Sequence, residues 1–278
     1  MIGVIVVLFK PTDQEIRNIS MYKDEVDKIL IIDNSPINHQ VIISNLIGLS
    51  KDIQYVSYTE NIGLCKALNQ GIRKLASIGC EWIVAFDADS QLETNIFSVY
   101  RQTIAEYPDI ISVAVFAPQH SFDRGIKKIY SGYREVDWAM TSGWLINADI
   151  FLKNGGFFEP LFLDGLDLDY CYFVREQGYK VIECGEAVIK HHPGETKETK
   201  VFNKTIKYGY APPDRYLMQA RCLVWTIRRY KKIFDIKMYV YKWVKVILLF
   251  DNKKTYIKRM VTGTKEGLSI YRKYKSVR

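Results

Sequence analysis

Cysteine is scarce in this sequence and never arranged for pairing. The five thiols, at Cys65, Cys80, Cys171, Cys184 and Cys222, are odd in number and widely spaced, and no C-x-x-C occurs. This excludes a disulfide scaffold or a cysteine zinc site, and fits the reduced, buried thiols of a cytosolic protein. Long apolar runs are missing too. The longest, MIGVIVVLF, has nine residues, against about 20 for a bilayer span, so no transmembrane helix is expected. That run also lacks a basic leader and a small-residue cleavage site, so it reads as a first buried strand and not as a signal peptide. There are no internal repeats and no low-complexity tracts. With 48% apolar and 25% charged residues, nothing argues for disorder or a fibrous chain. The 278 residues suffice for one large domain, or one domain with an appendage.

Charge is unevenly spread. From residue 215 onwards 18 Lys and Arg stand against three Asp and Glu, a net of +15, which leaves residues 1–214 at −7. A mildly acidic body with a strongly basic tail points to an anionic partner. The tail stretches YLMQARCLVWTIRRYKKIF and KMYVYKWVKVILLF mix aromatic and aliphatic residues with Lys and Arg at helical spacing. They read as basic amphipathic helices suited to an anionic membrane surface. No nucleic-acid-binding signature accompanies them, and the acidic body would repel a phosphate backbone, so nucleic acid is not the expected partner.

The first half alternates between two patterns. Val/Ile-rich runs at 3–9, 29–32, 53–57, 82–86 and 111–116 read as strands buried on both faces. The segments between them, 12–22, 41–49, 64–78 and 92–107, read as helices. Strand and helix in turn imply an α/β domain, a mostly parallel sheet covered by helices. Ligands of such sheets bind outside the C-terminal strand ends. The strand exits are polar here: FKP, DNS, TENIG and DADS. From 121 to 150 shorter, antiparallel strands with Gly-containing turns are expected. LDGLDLDYCYFVREQGY then reads as a helix with an acidic first turn and a stop at Gly178.

Asp87-Ala88-Asp89 alone is a weak signal, since 17 aspartates give about one D-x-D by chance. Its place at the exit of a central strand strengthens it. Two carboxylates on a rigid strand end are the minimal protein half of a Mg2+ or Mn2+ site that also takes a substrate diphosphate. A phosphatase-type D-x-D-x-[TV] nucleophile is disfavoured, because the fifth position is Gln91 and the pair follows the fourth strand.

Seven motifs in order, VVLFKP, IIDNS, ENIGLCKALNQGI, DADS, TSGWLI, GGFFEPLFLDGLDLDYCYFVREQGYK and HHPGE, resemble the family 2 inverting glycosyltransferases with the Rossmann-like GT-A fold. Within that family they are most similar to bacterial rhamnosyltransferases of polysaccharide assembly. The resemblance covers about residues 1–230. It implies nucleotide-sugar contacts from Phe9, Asp33, Asn61, Gly63, Asn69, Asp87, Ser142, Gly143 and Trp144, and metal ligation by Asp87 and Asp89. His191 would complete the metal shell, with His192 beside it as the other candidate. An inverting transfer needs a base for the acceptor hydroxyl. The matching position is Asp167, with Asp164 and Asp169 in support or toward the acceptor. Arg215 and Arg221 match a helix that reaches the leaving diphosphate. The sequence departs from the family pattern at Ala88, where Gln is frequent, at Trp144, where a smaller residue is common, at Phe173 in place of Arg and at Cys222 in place of Asn.

The expectation is therefore a metal-dependent inverting glycosyltransferase of the hexosyltransferase class. Residues 1–214 would be the catalytic domain, and residues 215–278 a basic helical appendage at the inner face of the cell membrane. The donor would be a nucleoside-diphosphate sugar, foremost dTDP-L-rhamnose, and the acceptor a growing, lipid-linked bacterial glycan of the cell envelope. The alternatives are a UDP-sugar donor, a sugar-1-phosphate nucleotidyltransferase (whose Gly-rich N-terminal loop is missing here), and a non-catalytic glycan- or nucleotide-binding membrane subunit. The oligomeric state stays open, a dimer included.

Overall fold

Buried Val/Ile runs pair best with one another, and here they do so in one direction. In the computed structural model, which describes residues 1–121, 130–190, 195–201, 204–276 and 278, the first strands are β1 (Ile2–Leu8), β2 (Lys28–Asp33), β3 (Ile53–Ser57) and β4 (Trp82–Asp87). They lie side by side in the order β3-β2-β1-β4, all parallel. Helices α1 (Asp13–Asn18), α2 (Gln40–Ile47) and α3 (Leu64–Ser77) connect them. A reciprocal capping box between Thr12 and Glu15 starts α1. Gly71 lets α3 lie close on the sheet, since a Cβ there would stand 2.1 Å from Ile5 Cδ1 and 2.8 Å from Ile32 Cδ1.

The sheet then changes direction. Beyond β4 come β5 (Gln91–Leu92), α4 (Ile96–Glu106), β6 (Val113–Ser121), β7 (Tyr133–Glu135), β8 (Trp144–Asn147), α5 (Ala148–Lys153), α6 (Leu166–Glu176) and β9 (Lys180–Lys190). Strand β8 inserts antiparallel between β4 and β6, and β9 runs parallel to β6. The short β5 and β7 pair antiparallel with β9. Six of the nine strands in this sheet, β1 to β4 with β6 and β9, thus point the same way.

Most of these elements fall where the sequence pattern puts them, and the differences have local causes. The helix expected at 92–107 begins at Ile96, because Gln91 and Leu92 pair with β9 and Asn95 caps the first turn. The strand expected from 111 starts at Val113, after a 3-10 turn at Ile110–Ser112. Helix α6 opens on Asp167 and Asp169, and Gly178 beyond it takes φ +86°.

The chain divides into two compact units: Met1–Glu159 with Tyr170–His192, and Pro160–Asp169 with Pro193–Arg278. The second holds an antiparallel hairpin, β10 (Glu195–Val201) and β11 (Lys204–Tyr210), and three helices, α7 (Pro213–Tyr230), α8 (Ile233–Leu249) and α9 (Lys253–Tyr274). The hairpin was not expected from the sequence: ETKETKV carries no apolar alternation, although KTIKYGY does at Ile206, Tyr208 and Tyr210. This unit has its own core of Tyr208, Tyr216, Ala220, Val246, Phe250, Tyr256 and Met260. Tyr256 meets Phe250 edge-on at 4.6 Å and Tyr216 at 5.2 Å.

Helices α7 and α9 approach until backbone meets backbone. A Cβ on Gly263 would lie 2.1 Å from the Leu217 carbonyl oxygen, and one on Gly267 would lie 2.5 Å from that of Arg221. A carbonyl in a helix cannot swing aside as a side chain can. Gly263→Val is therefore expected to lower stability by about 1–3 kcal/mol or more, measured as an earlier midpoint in denaturant unfolding, although valine is the better helix former.

Candidate active site at the strand ends

Because β1, β2, β3 and β4 are parallel, their exits share one edge. Asp33 ends β2 opposite Leu8, and Asp87 ends β4 opposite Val7, so the two carboxylates flank the end of β1. Phe9, the residue after β1, is 50% exposed there. Strand β8 runs the other way, with Trp144 opposite Ala85, and so brings Ser142 and Gly143 to the same edge.

The DADS segment is a tight turn held on several sides. The Ser90 amide closes it by donating to the Asp87 carbonyl (3.2 Å). Ser142 Oγ accepts from the Asp87 amide (3.1 Å) and bonds Ser90 Oγ (2.6 Å), while Asn18 Nδ2 donates to the Ala88 carbonyl (3.1 Å). Ser142 is itself fixed: the Gly143 amide donates to the Ala85 carbonyl (2.7 Å), His120 Nε2 meets the Ser142 carbonyl (3.0 Å), and Tyr100 donates to the Gly143 carbonyl (2.6 Å). Gly143 has φ +82°, and a Cβ there would stand 2.7 Å from Pro118 Cγ, so only glycine fits. Ala88 packs against the hydrophobic core, which turns the residue between the aspartates inward.

Asp87 and Asp89 are both half-buried on this rigid turn. Such a pair suits a small, hard divalent cation that keeps water and substrate oxygens in its other positions. Among the described residues no three His, Cys, Asp or Glu side chains converge as a metal cage. His191 and His192, from which a further ligand is expected, lie outside the described residues.

At the β2 exit, Asp33 organises the edge from within. Its carboxylate is fully buried. Oδ1 accepts from the Ser35 amide (3.0 Å); Oδ2 accepts from Tyr55 Oη (2.7 Å) and the His39 amide (3.2 Å) and meets His39 Nδ1 at 2.7 Å. Burial pushes its pKa up, but the hydrogen bonds from Ser35, Tyr55 and His39 outweigh burial and hold it below the usual carboxylate range. Its stabilising contribution is therefore present at neutral pH and is lost as pH falls through that lowered pKa. Asn34 links the loops on either side: its Nδ2 donates to Asn61 Oδ1 (3.0 Å) and its Oδ1 accepts from the Ile62 amide (2.9 Å). Asn61 Oδ1 also accepts from Gly63, which enters α3 at φ +88°. Ser35 Oγ accepts from the Lys10 amide (2.6 Å), tying in the β1 exit. Sequence reasoning named Asp33, Asn61 and Gly63 but not Asn34, Ser35, His39 or Tyr55. The Asn-Ser pair after Asp33 was the available signal; for Tyr55, on another strand, there was none.

Two expected contacts face the interior. Asn69 donates from Nδ2 to the Phe157 carbonyl (2.9 Å) and Glu159 Oε1 (3.0 Å), and its Oδ1 accepts from the Phe157 amide (2.8 Å), so its amide holds the segment after α5. Trp144 is fully buried, stacked on Phe157 with ring centres 6.4 Å apart. The bulk at that position goes into the core.

The second acidic cluster, Asp164, Asp167 and Asp169, belongs to the second unit, and its three members differ. Gly165 shapes the turn (φ +76°), with Cys222 so close that a Cβ would fall 1.7 Å from its Sγ. Asp164 pairs with Arg215 Nη2 at 2.8 Å. Burial raises its pKa, opposed by the charges of Arg215, Lys242 and Arg221. Asp167 is half-buried at the first turn of α6, where its Oδ1 accepts from the Leu168 amide (2.9 Å). Asp169 is fully buried: Oδ1 accepts from Trp225 Nε1 (2.6 Å) and Tyr230 Oη (2.9 Å), and Oδ2 pairs with Arg278 Nε (2.7 Å). It has no solvent-facing oxygen for an acceptor and anchors α7 and Arg278 to the start of α6. Arg221 is similarly committed, to the Leu161 carbonyl (2.6 Å) and Glu266 (3.4 Å), whereas Arg215 is 46% exposed.

Residues 13–150 match glycosyl transferase family 2. Over 294 residues the chain is 21% identical to dTDP-rhamnosyl transferase RfbF of Shigella flexneri, covering 96% of this chain and 95% of that protein. Over 286 residues it is 21% identical to the low-salt glycan biosynthesis hexosyltransferase Agl10 of Haloferax volcanii, with 96% and 91% covered. Its fold is similar to that of GalNAc-T7, solved with UDP, GalNAc and Mn2+ (TM-score 0.60, 11% identity). That likeness takes in 99% of this chain and 57% of the other, so the chain spans little more than half of that structure. It is also similar to the mannosyltransferase PcManGT of Pyrobaculum calidifontis, solved with GDP-Man and Mn2+ (TM-score 0.55, 13% identity, 100% and 75% covered). A sheet with its polar strand exits on one edge, a matching family domain built on those strands, and likeness along nearly the whole chain converge: residues 13–150 form a glycosyl transferase family 2 domain, and the chain is a glycosyltransferase with the GT-A fold.

Proposed function

We propose that the chain is an inverting, divalent-metal-dependent transferase that moves L-rhamnose from dTDP-L-rhamnose to a hydroxyl of a growing, lipid-linked surface polysaccharide. The observation that carries this reading is the turn Asp87–Ser90, two carboxylates held rigidly by Ser142 at the β4 exit. The donor's nucleoside end is assigned to the edge bearing Phe9, Asp33, Asn61 and Gly63, with Asn69 bracing the segment behind it. Ser142 and Gly143 position the turn. The choice of rhamnose rests on the similarity to a dTDP-rhamnosyl transferase along nearly the full length, and the glycan acceptor on the similarity to a hexosyltransferase of glycan biosynthesis.

Asp87 and Asp89 would hold Mg2+ or Mn2+, with His191 as the further ligand. The bound cation would supply neutralisation of charge on the departing nucleoside diphosphate. Asp167 is the base. It is half-buried at the start of a helix, and it takes the proton of the acceptor hydroxyl as that oxygen attacks the anomeric carbon and the diphosphate leaves from the opposite face. Asp164 and Asp169 support it, Asp169 by fixing the first turn of α6. Arg215, half exposed, is the side chain assigned to the leaving diphosphate, and Arg221 holds its helix in place. Residues 1–214 are the transferase domain, and the basic stretch 215–278 keeps the enzyme at the anionic inner face of the membrane.

Asp167→Asn is expected to lower transfer by about 100- to 10,000-fold while donor affinity, titrated calorimetrically with Mn2+ present, stays near wild type; transfer at the wild-type rate would remove Asp167 from the base role. EDTA is expected to abolish transfer and donor hydrolysis, with recovery on adding Mg2+ or Mn2+. Asp89→Asn should raise the metal concentration needed for half-maximal rate, and full activity in EDTA would end the metal assignment. In a thermal-shift series with Mn2+, dTDP-L-rhamnose should raise the melting midpoint more than UDP-glucose, UDP-galactose or UDP-N-acetylhexosamines, since the tighter ligand stabilises more by mass action. The reverse order would favour a UDP-sugar transferase.

A further inference from the structure

Helix α8 is built inside out. Three of its four charged residues face the protein: Asp235 is fully buried, Lys245 is 8% exposed and donates to the Gly209 carbonyl (3.0 Å), and Lys242 reaches Gln219 Oε1 (2.9 Å). Its aliphatic residues face out. Ile233, Ile236, Val240, Val244, Ile247 and Leu248 are each 44–68% exposed and recur at helical spacing on one side. Phe234 and Tyr241 widen the strip, and Lys237 is the charge on it. Isolated apolar residues on a surface need no explanation, but a contiguous strip along a whole helix marks a contact surface.

We infer that this face of α8 seats the enzyme in the headgroup region of an anionic lipid bilayer, with the helix lying in the plane of the membrane. The inference rests on the proposed membrane-facing transferase and names the surface that makes the contact. Charge selects the occupant. From 231 to 254, with the inward Asp235, Lys242 and Lys245 set aside, five lysines stand against the one aspartate Asp251. The outward face of α8 carries no carboxylate. A second copy laid on it would bring lysines against lysines, whereas an anionic surface pairs with the lysines at both helix ends while acyl chains cover the strip between. Geometry sets the orientation. Seventeen residues reach roughly 25 Å at 1.5 Å per residue, short of the ~30 Å hydrocarbon core. No described helix is long and apolar enough to cross a membrane.

The test is flotation of the full chain with vesicles of phosphatidylcholine alone and of phosphatidylcholine with phosphatidylglycerol in equal parts. Wild type should float with the anionic vesicles. The double variant Val240→Glu, Ile247→Glu changes exposed positions outside the proposed active site. It should lose vesicle partition on the order of tenfold or more, with an unchanged melting midpoint and unchanged donor hydrolysis. Equal flotation of variant and wild type would overturn the α8 assignment and leave the membrane-facing transferase standing. Failure of wild type to float with either vesicle would overturn both the surface and the membrane reading, while donor hydrolysis reports separately on the transferase. A wild-type dimer in light scattering that the variant converts to a monomer, with no flotation, would assign the face to a second copy instead.

Discussion

Parallel strands cannot be joined by tight hairpins, and that restriction governs this molecule. Each of β1 to β3 must be left by a connection that returns to the start of the next strand, so their exits fall on one edge, together with that of β4. The strands are Val- and Ile-rich because both their faces are covered, and polar residues are therefore confined to their ends. Asp33 and Asp87 occupy such ends, in register with Leu8 and Val7 of the strand between them. The antiparallel insertion of β8 adds what parallel strands cannot, an incoming chain at the exit edge. Ser142 arrives by that route and fixes the Asp87–Ser90 turn through two hydrogen bonds.

Of the six carboxylates of the two acidic clusters and the β2 exit, all but the ion-paired Asp164 fall into two kinds by their surroundings. Asp33 and Asp169 are fully buried and spend their oxygens on the protein, Asp33 on Ser35, His39 and Tyr55, and Asp169 on Trp225, Tyr230 and Arg278. A buried carboxylate with such partners is a fixed strut, and removing a partner leaves an uncompensated charge. Asp87, Asp89 and Asp167 are half-buried at the ends of regular elements. Their backbone is rigid while their side chains remain at the surface, the combination that a binding or proton-accepting group requires.

The sheet and its helices were largely legible because strands buried on both faces and amphipathic helices leave distinct periods in the sequence. Strand β3 matches its expected bounds, and α3 does so to within one residue. The β10–β11 hairpin was not legible, since Lys, Thr and Glu dominate its first strand, although Tyr208 and Tyr210 of the second alternate and join the core of that unit. The candidate site divides in the same way. Asp87, Asp89 and Asp167 were readable as carboxylates at an element's end. The interior commitment of Asp169 was not, because its partners lie 56 and 61 residues further along and nothing local in LDLD announces them. Trp144 likewise looked like a change in a sugar pocket, whereas the aromatic neighbours Phe157 and Tyr170 absorb it into the core.

The inward lysines of α8 carry one more implication. Lys242 lies close enough to Asp164 for each to favour the other's charged form: Lys242 opposes the burial that raises the Asp164 pKa, and Asp164 opposes the burial that lowers that of Lys242. The helix that turns an apolar strip outward thus turns a charge toward the acidic turn that precedes α6. The charged forms of the two groups are thus linked: protonating Asp164 removes from Lys242 the anion that opposes its desolvation, and an uncharged Lys242 leaves Asp164 with less to oppose its own.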